Sequence, residues 1–180
     1  MILARWRARG ARRDRAHALY TALVEQARSP GFYRDLAVPD TVDGRFDMIV
    51  LHCFLVLRRL RAVGDEGNAL GQTVFEVMFA DMDQNLRQMG VGDLGVGRRV
   101  KAMTQAFMGR VAAYEKAMGE GTDALVATIA RNVYRVEPDG APAGAAILAT
   151  YAVACDRALG AQDAAAVMEG RPRFPAPLAP

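Results

Sequence analysis

Few residues in this chain could do chemistry. There are two histidines, His17 and His52, two cysteines, Cys53 and Cys155, and one serine, Ser29. Two histidines cannot build a histidine metal site without help, and the sequence contains no CxxC, CxxCH or HExxH. Ser29 lies in a Ser-Pro turn with no base nearby in sequence to activate it. Asp81-x-Asp83 places two carboxylates two residues apart on a helix, where side chains diverge, so a solvated face is expected rather than a cation site. Gly90-x-Gly92-x-x-Gly95 spells a dinucleotide-binding string. It follows a helical pattern instead of a strand and fails the context that motif requires. The densest polar group is Asp43, Arg45, Asp47 and His52. If these four converged on a cleft, a small helical enzyme or ligand-binding protein would be the reading. No catalytic residue, metal ligand or cofactor is otherwise called for.

The element that positions this group runs from Pro39 to Leu60. Asp40 or Thr41 can cap its first turn, Asp43 suits the positive end of the helix dipole, and Arg58, Arg59 and Arg61 suit the negative end. Between them, Met48–Leu57 is apolar except for His52. A helix apolar on every side is a buried one. His52 is therefore expected to be a buried histidine bonded to a neighbour, and Cys53 and Cys155 to be reduced, buried thiols. At ten residues the run is too short to span a membrane, which takes ~20.

Helical spacing recurs on both sides of this core helix. Helices are expected over 16–29 and 70–89, and from 122 onward. A small-residue helix is expected near 147–159, with a short Ala-rich piece ending at Met168. Gly64-Asp65-Glu66-Gly67-Asn68 reads as a loop. The cleanest stripe is Val96, Val100, Met103, Phe107, Val111, Tyr114 and Met118. Gly109 within it suggests close approach of another backbone. No stretch alternates with period two. The fold expected is all-α, a single-domain bundle of about six helices around a central buried helix near 43–61. A basic arm (1–15) precedes the helical domain (16–170), and a Pro-rich tail (171–180), extended and mobile, follows it.

The net charge of +3 conceals an asymmetry: residues 1–28 carry seven arginines against Asp14 and Glu25, a local +5. Arg5, Trp6, Arg7, Arg9, Arg12 and Arg13 could meet an anionic membrane surface. The basic pattern does not continue with interleaved aromatics, so no nucleic-acid partner is expected. Six methionines, Met78, Met82, Met89, Met103, Met108 and Met118, fall on two consecutive helices. Flexible thioethers suit adaptable apolar contacts, although ordinary core filling uses them too.

Several ordered stretches resemble the ubiquinol–cytochrome c chaperone family. They are Leu19-Tyr20 through Gln26-Ala27-Arg28, Phe32-Tyr33, Val38-Pro39-Asp40-Thr41, Asp43-Gly44-Arg45-Phe46-Asp47 and Leu51-His52. They continue with Met78–Asp83, Leu86-Arg87, Gly90-Val91-Gly92-Asp93-Leu94, Val100-Lys101, Met103, Ala106-Phe107, Gly109-Arg110 and Tyr114. The resemblance covers about half the chain and leaves the C-terminal third unassigned. It implies a helical, non-enzymatic chaperone that binds cytochrome b, or a hydrophobic segment of it, during biogenesis of the respiratory cytochrome bc1 complex. A bacterial member, in the cytoplasm and peripheral on the cytoplasmic face of the inner membrane, is implied by the absence of a long N-terminal extension. Within the matched stretches the candidate partner-binding residues are Arg45, Asp47, His52, Met78, Met82, Arg87, Asp93, Lys101 and Arg110.

Overall fold

Thr41 starts the central helix. Its side-chain oxygen accepts the backbone N–H of Gly44 at 3.1 Å, and the helix, α3, runs from Val42 to Arg61. Every residue from Phe46 to Val56 is buried. A helix enclosed on all sides needs neighbours on all sides, and the rest of the chain supplies them. The computed structural model describes residues 2–177, with side chains described for residue 6 and from residue 9 onward.

Around α3 stand α1 (Ile2–Ala27), α4 (Asp65–Gln88), α5 (Asp93–Glu120), α6 (Thr122–Ile129) and α7 (Ala143–Ala161), with the short α2 (Pro30–Arg34) and α8 (Ala164–Met168). In the order α1, α4, α5, α6, α7 each packs on the next, and all but α6 also pack on α3. A π-turn (Ala130–Tyr134) follows α6, and among the described residues there is no strand. The all-α bundle around a buried helix is as expected.

The seam between α1 and α7 is closed by the C-terminal tail. Gln162 donates its amide to the Arg173 carbonyl at 2.7 Å and accepts the Arg173 N–H at 2.8 Å. Gln26 donates to the Pro175 carbonyl at 2.9 Å. Phe174 meets the ring of His52 edge-on at 5.8 Å. Over its described residues, 171–177, the tail is extended, as its prolines require, and is a strap pinned to the bundle; residues 178–180 lie outside the described residues.

Three further expectations are corrected. The stretch Gly64–Asn68 is not a loop: α4 begins at Asp65, with Asp65 and Glu66 in its first turn. Gly67 is there for closeness, since a Cβ on it would overlap the carbonyl oxygen of Leu60. Gly109, in contrast, has nothing near it and no backbone approaches. The basic arm is not separate from the next helix. It continues α1 backward to Ile2, which suits its Ala and Arg content, and among the described side chains of α1 the first buried one is Ala16.

These contrasts set up a stability test. A Gly109→Ala change fills open space on a helix and should stabilise the protein by about 0.5–1 kcal/mol. At Gly44 a Cβ would overlap the Pro39 carbonyl oxygen, so Gly44→Ala should destabilise it by roughly 1–3 kcal/mol. Urea unfolding followed by circular dichroism reads both, and equal effects of the two would contradict this packing.

Candidate functional site

Asp47 is fully buried one turn into α3, so its charge has to be met from elsewhere in the chain. Arg110 of α5 reaches it at 2.8 Å and Arg135 at 3.0 Å. Arg135 ends the π-turn in a left-handed conformation (φ 60°) and also pairs with Asp43 at 3.3 Å. Burial pushes the Asp47 carboxyl up, while the two arginines pull it down. This lock fastens α3 to α5 and to the end of α6. It is an internal tie with no open face on Asp47.

His52 lies on another side of α3 and is also fully buried. Its Nδ1–H donates to the Met48 carbonyl at 2.8 Å, and the Tyr151 hydroxyl donates to Nε2 at 2.9 Å. Gln26 donates to the same hydroxyl at 3.0 Å. Burial holds the imidazole down at about 4, so it is neutral at pH 7. Burial likewise pushes both cysteine thiols up to about 12, and they remain protonated.

The polar group needed for a small-enzyme or ligand-binding reading therefore does not assemble. Arg45 is exposed and pairs with Asp40 at 2.6 Å. Asp43 and Asp47 face Arg135, and His52 is sealed within the core. The physical cause is helical rotation: Asp43 and Asp47 share the side that meets Arg135, Arg45 turns outward to Asp40, and His52 turns inward on another side.

The remaining candidates divide between core and surface. Met78 is core and cannot touch a partner. Arg87 pairs with Asp83 at 2.6 Å and with Asp93, tying the α4–α5 turn together on the surface. Lys101 is exposed on α5. Met82 is nearly covered but lines an open groove of about 280 Å³.

That groove is the best candidate site. Val42, Phe46 and Ile49 of α3, Met82 of α4, Met89 just past the end of α4 and Met103 of α5 line it, together with Arg28, Arg45 and Asp81. The α5 stripe is only partly covered: Val96, Phe107 and Tyr114 are buried, while Val100, Met103, Val111 and Met118 are half-buried, and of these Met103 lines the groove. Val42, Ile49 and Arg28 are not among the residues the sequence points to for binding, and Met89 and Met103 enter there only among the six methionines. The methionine enrichment was the one cue, and it could not say which thioethers face outward.

The fold has counterparts. Residues 34–174 match the family model described as ubiquinol-cytochrome C chaperone. The chain belongs to this family. The match takes in the C-terminal third and most of the strap, well beyond the stretches legible as a resemblance. The chaperone-family chain is 24% identical over 121 residues to ubiquinol-cytochrome-c reductase complex assembly factor 1 of Xenopus laevis, covering 67% of this chain and 60% of the frog protein. For the Mus musculus protein of the same name the figures are 25% over 116 residues, 64% and 39%. The chain thus spans about half the length of these relatives. The crystal structure of the Cbp3 homolog from Brucella abortus superposes with a TM-score of 0.81 at 34% identity, covering 97% of this chain and 96% of that one.

Two outcomes are expected. Removing the central carboxylate with Asp47→Ala leaves Arg110 enclosed and should cost about 3 kcal/mol in chemical denaturation. For His52, the folded-state pKa of about 4 lies below the ordinary 6.5, so the unfolded chain binds the proton more tightly. Stability from this group is complete above pH 6.5 and is lost as pH falls toward 4, by about 3 kcal/mol in all. A His52→Phe variant, measured by urea unfolding at pH 7 and pH 4.5, should show a shallower acid loss than the wild type.

Proposed function

We propose that this chain is an assembly chaperone for the respiratory cytochrome bc1 complex. It receives cytochrome b, or a hydrophobic segment of it, during biogenesis. The observation that carries the reading is the family match over residues 34–174, in a family described as chaperones of ubiquinol–cytochrome c, whose frog and mouse relatives are named assembly factors of that reductase. The methionine-lined groove supports it, since thioethers adapt to varied apolar side chains. The role is non-enzymatic: binding a hydrophobic chain until it is incorporated requires no bond to be made or broken.

The reading places the protein in the bacterial cytoplasm, peripheral on the inner membrane. None of the described helices is long and apolar enough to cross a membrane. The basic start of α1 supplies the surface contact. Trp6 is 71% exposed, Arg9 and Arg13 are exposed, and Arg12 is half-buried. The side chains of Arg5 and Arg7, the other members of that patch, lie outside the described residues. Each exposed arginine near an anionic surface contributes about 1 kcal/mol.

Tagged full-length protein pulled from detergent extracts should recover cytochrome b, and a deletion strain should lose the bc1 complex. Without residues 1–15 the protein should shift from the membrane to the soluble fraction. Unaltered bc1 content in the deletion strain would reject the chaperone reading.

A further inference from the structure

The strap is held in the way a bound peptide is held. Residues 172–175, Pro-Arg-Phe-Pro, cross the seam between α1 and α7 in extended form, and two side-chain amides of the bundle read their backbone. Gln162 bonds both the N–H and the carbonyl of Arg173, which point the same way only in an extended chain. Gln26 donates to the Pro175 carbonyl at 2.9 Å. Each amide is fixed to the bundle by its other N–H, Gln162 to the Ala158 carbonyl and Gln26 to the Tyr151 hydroxyl, both at 3.0 Å. Neither has to be ordered when a chain arrives.

Between these two points Phe174 turns inward. Its ring lies against His52, whose ring in turn meets Phe32 at 5.5 Å and Tyr151 at 5.6 Å. These three supporting residues are fully buried. The Arg173 side chain is exposed and adds no selectivity. The position before the aromatic must supply an N–H, which excludes proline there. The position after it supplies only a carbonyl, which proline keeps. None of residues 171–177 is buried, so the strap can lift without separating the helices beneath it.

We propose that this seam is a peptide-binding site for an extended Pro-X-Phe-Pro segment of a partner polypeptide, X being any residue but proline, and that the strap occupies it in cis as an exchangeable cover. The seam shares no residue with the methionine-lined groove, so this site stands apart from the client reading. The strap of a second copy is not the partner: exchange would reproduce the same contacts while losing the independent motion of two molecules.

The test uses the full chain and a fluorescent peptide copying residues 171–177. In the wild type the strap competes in cis. Phe174→Ala in the protein removes the anchor of that competitor and should raise the affinity for the peptide about tenfold or more in anisotropy titrations. Toward this variant, Arg173→Ala in the peptide should change affinity by less than about twofold, while Arg173→Pro or Phe174→Ala in the peptide should weaken it about tenfold or more. Adding Gln162→Ala to the protein should weaken the copy peptide about tenfold, which places it in the seam.

A second measurement uses the wild type alone. The Arg173 amide should exchange with solvent by local opening, at a rate that low urea leaves unchanged. Millimolar copy peptide should speed this exchange about fivefold, because an occupied seam holds the strap out, and the Arg173→Pro peptide should not. Equal affinity of wild type and folded Phe174→Ala, indifference to Arg173→Pro, or an Arg173 amide that exchanges only with global unfolding would overturn the inference. So would a dimer in sedimentation that Phe174→Ala abolishes, since a second copy would then supply the occupant. Should Phe174→Ala fail to fold, the wild-type exchange decides: acceleration by the copy peptide alone supports the site, and no acceleration overturns it.

Discussion

The enclosure of α3 from Phe46 to Val56 is the constraint on which the rest of this structure depends. Phe46 to Val56 are buried on every side, so the helix can exist in water only inside a ring of others. That ring is made by α1, α4, α5, α6 and α7, and its last gap is sealed by an extended strap instead of a helix. The polar groups that α3 carries inward are each answered at close range. Asp47 has Arg110 and Arg135, and His52 has Met48 and Tyr151. A buried charge or donor left unanswered would cost several kcal/mol, a large part of the net stability of a domain this size.

The same enclosure separates structure from function. Asp47 and His52, which look functional in a linear reading, are consumed by the core, because both lie in the buried stretch of α3 from Phe46 to Val56. At the end of α3, Arg58 pairs with Asp156 at 3.0 Å and with Glu115, so it too is a tie between helices as well as a complement to the dipole. What is left for a partner is the place where the ring is incomplete. There Met103 of α5 stays half-buried, and with Val42 and Met89 beside it makes the groove. What stays open there is apolar surface with charged residues beside it.

The strap shows how short-range composition can mislead. A run rich in proline cannot join a helix or a sheet ladder, and alone it would be mobile. Here the amides of Gln162 and Gln26 supply the hydrogen bonds its backbone needs, and Phe174 and Pro177 fill space against His52 and Gly31. Those glutamines are distant in sequence, so nothing local announces them.

The sequence by itself determined the helical class, the buried centre, the caps and the apolar stripe of α5, because these follow from periodicity and from residue chemistry within a few turns. It also carried the family likeness, spread over stretches whose order and spacing are specific. Only the tertiary structure decided that Asp47 meets Arg135, that Gly44 and Gly67 serve close backbone contact while Gly109 does not, and that the tail is pinned. It alone separated Met78, a core residue, from Met89, which lines a groove. The physical reason is common to all of these. Each depends on which face of a helix another element covers, and that is a property of packing between segments far apart in the chain.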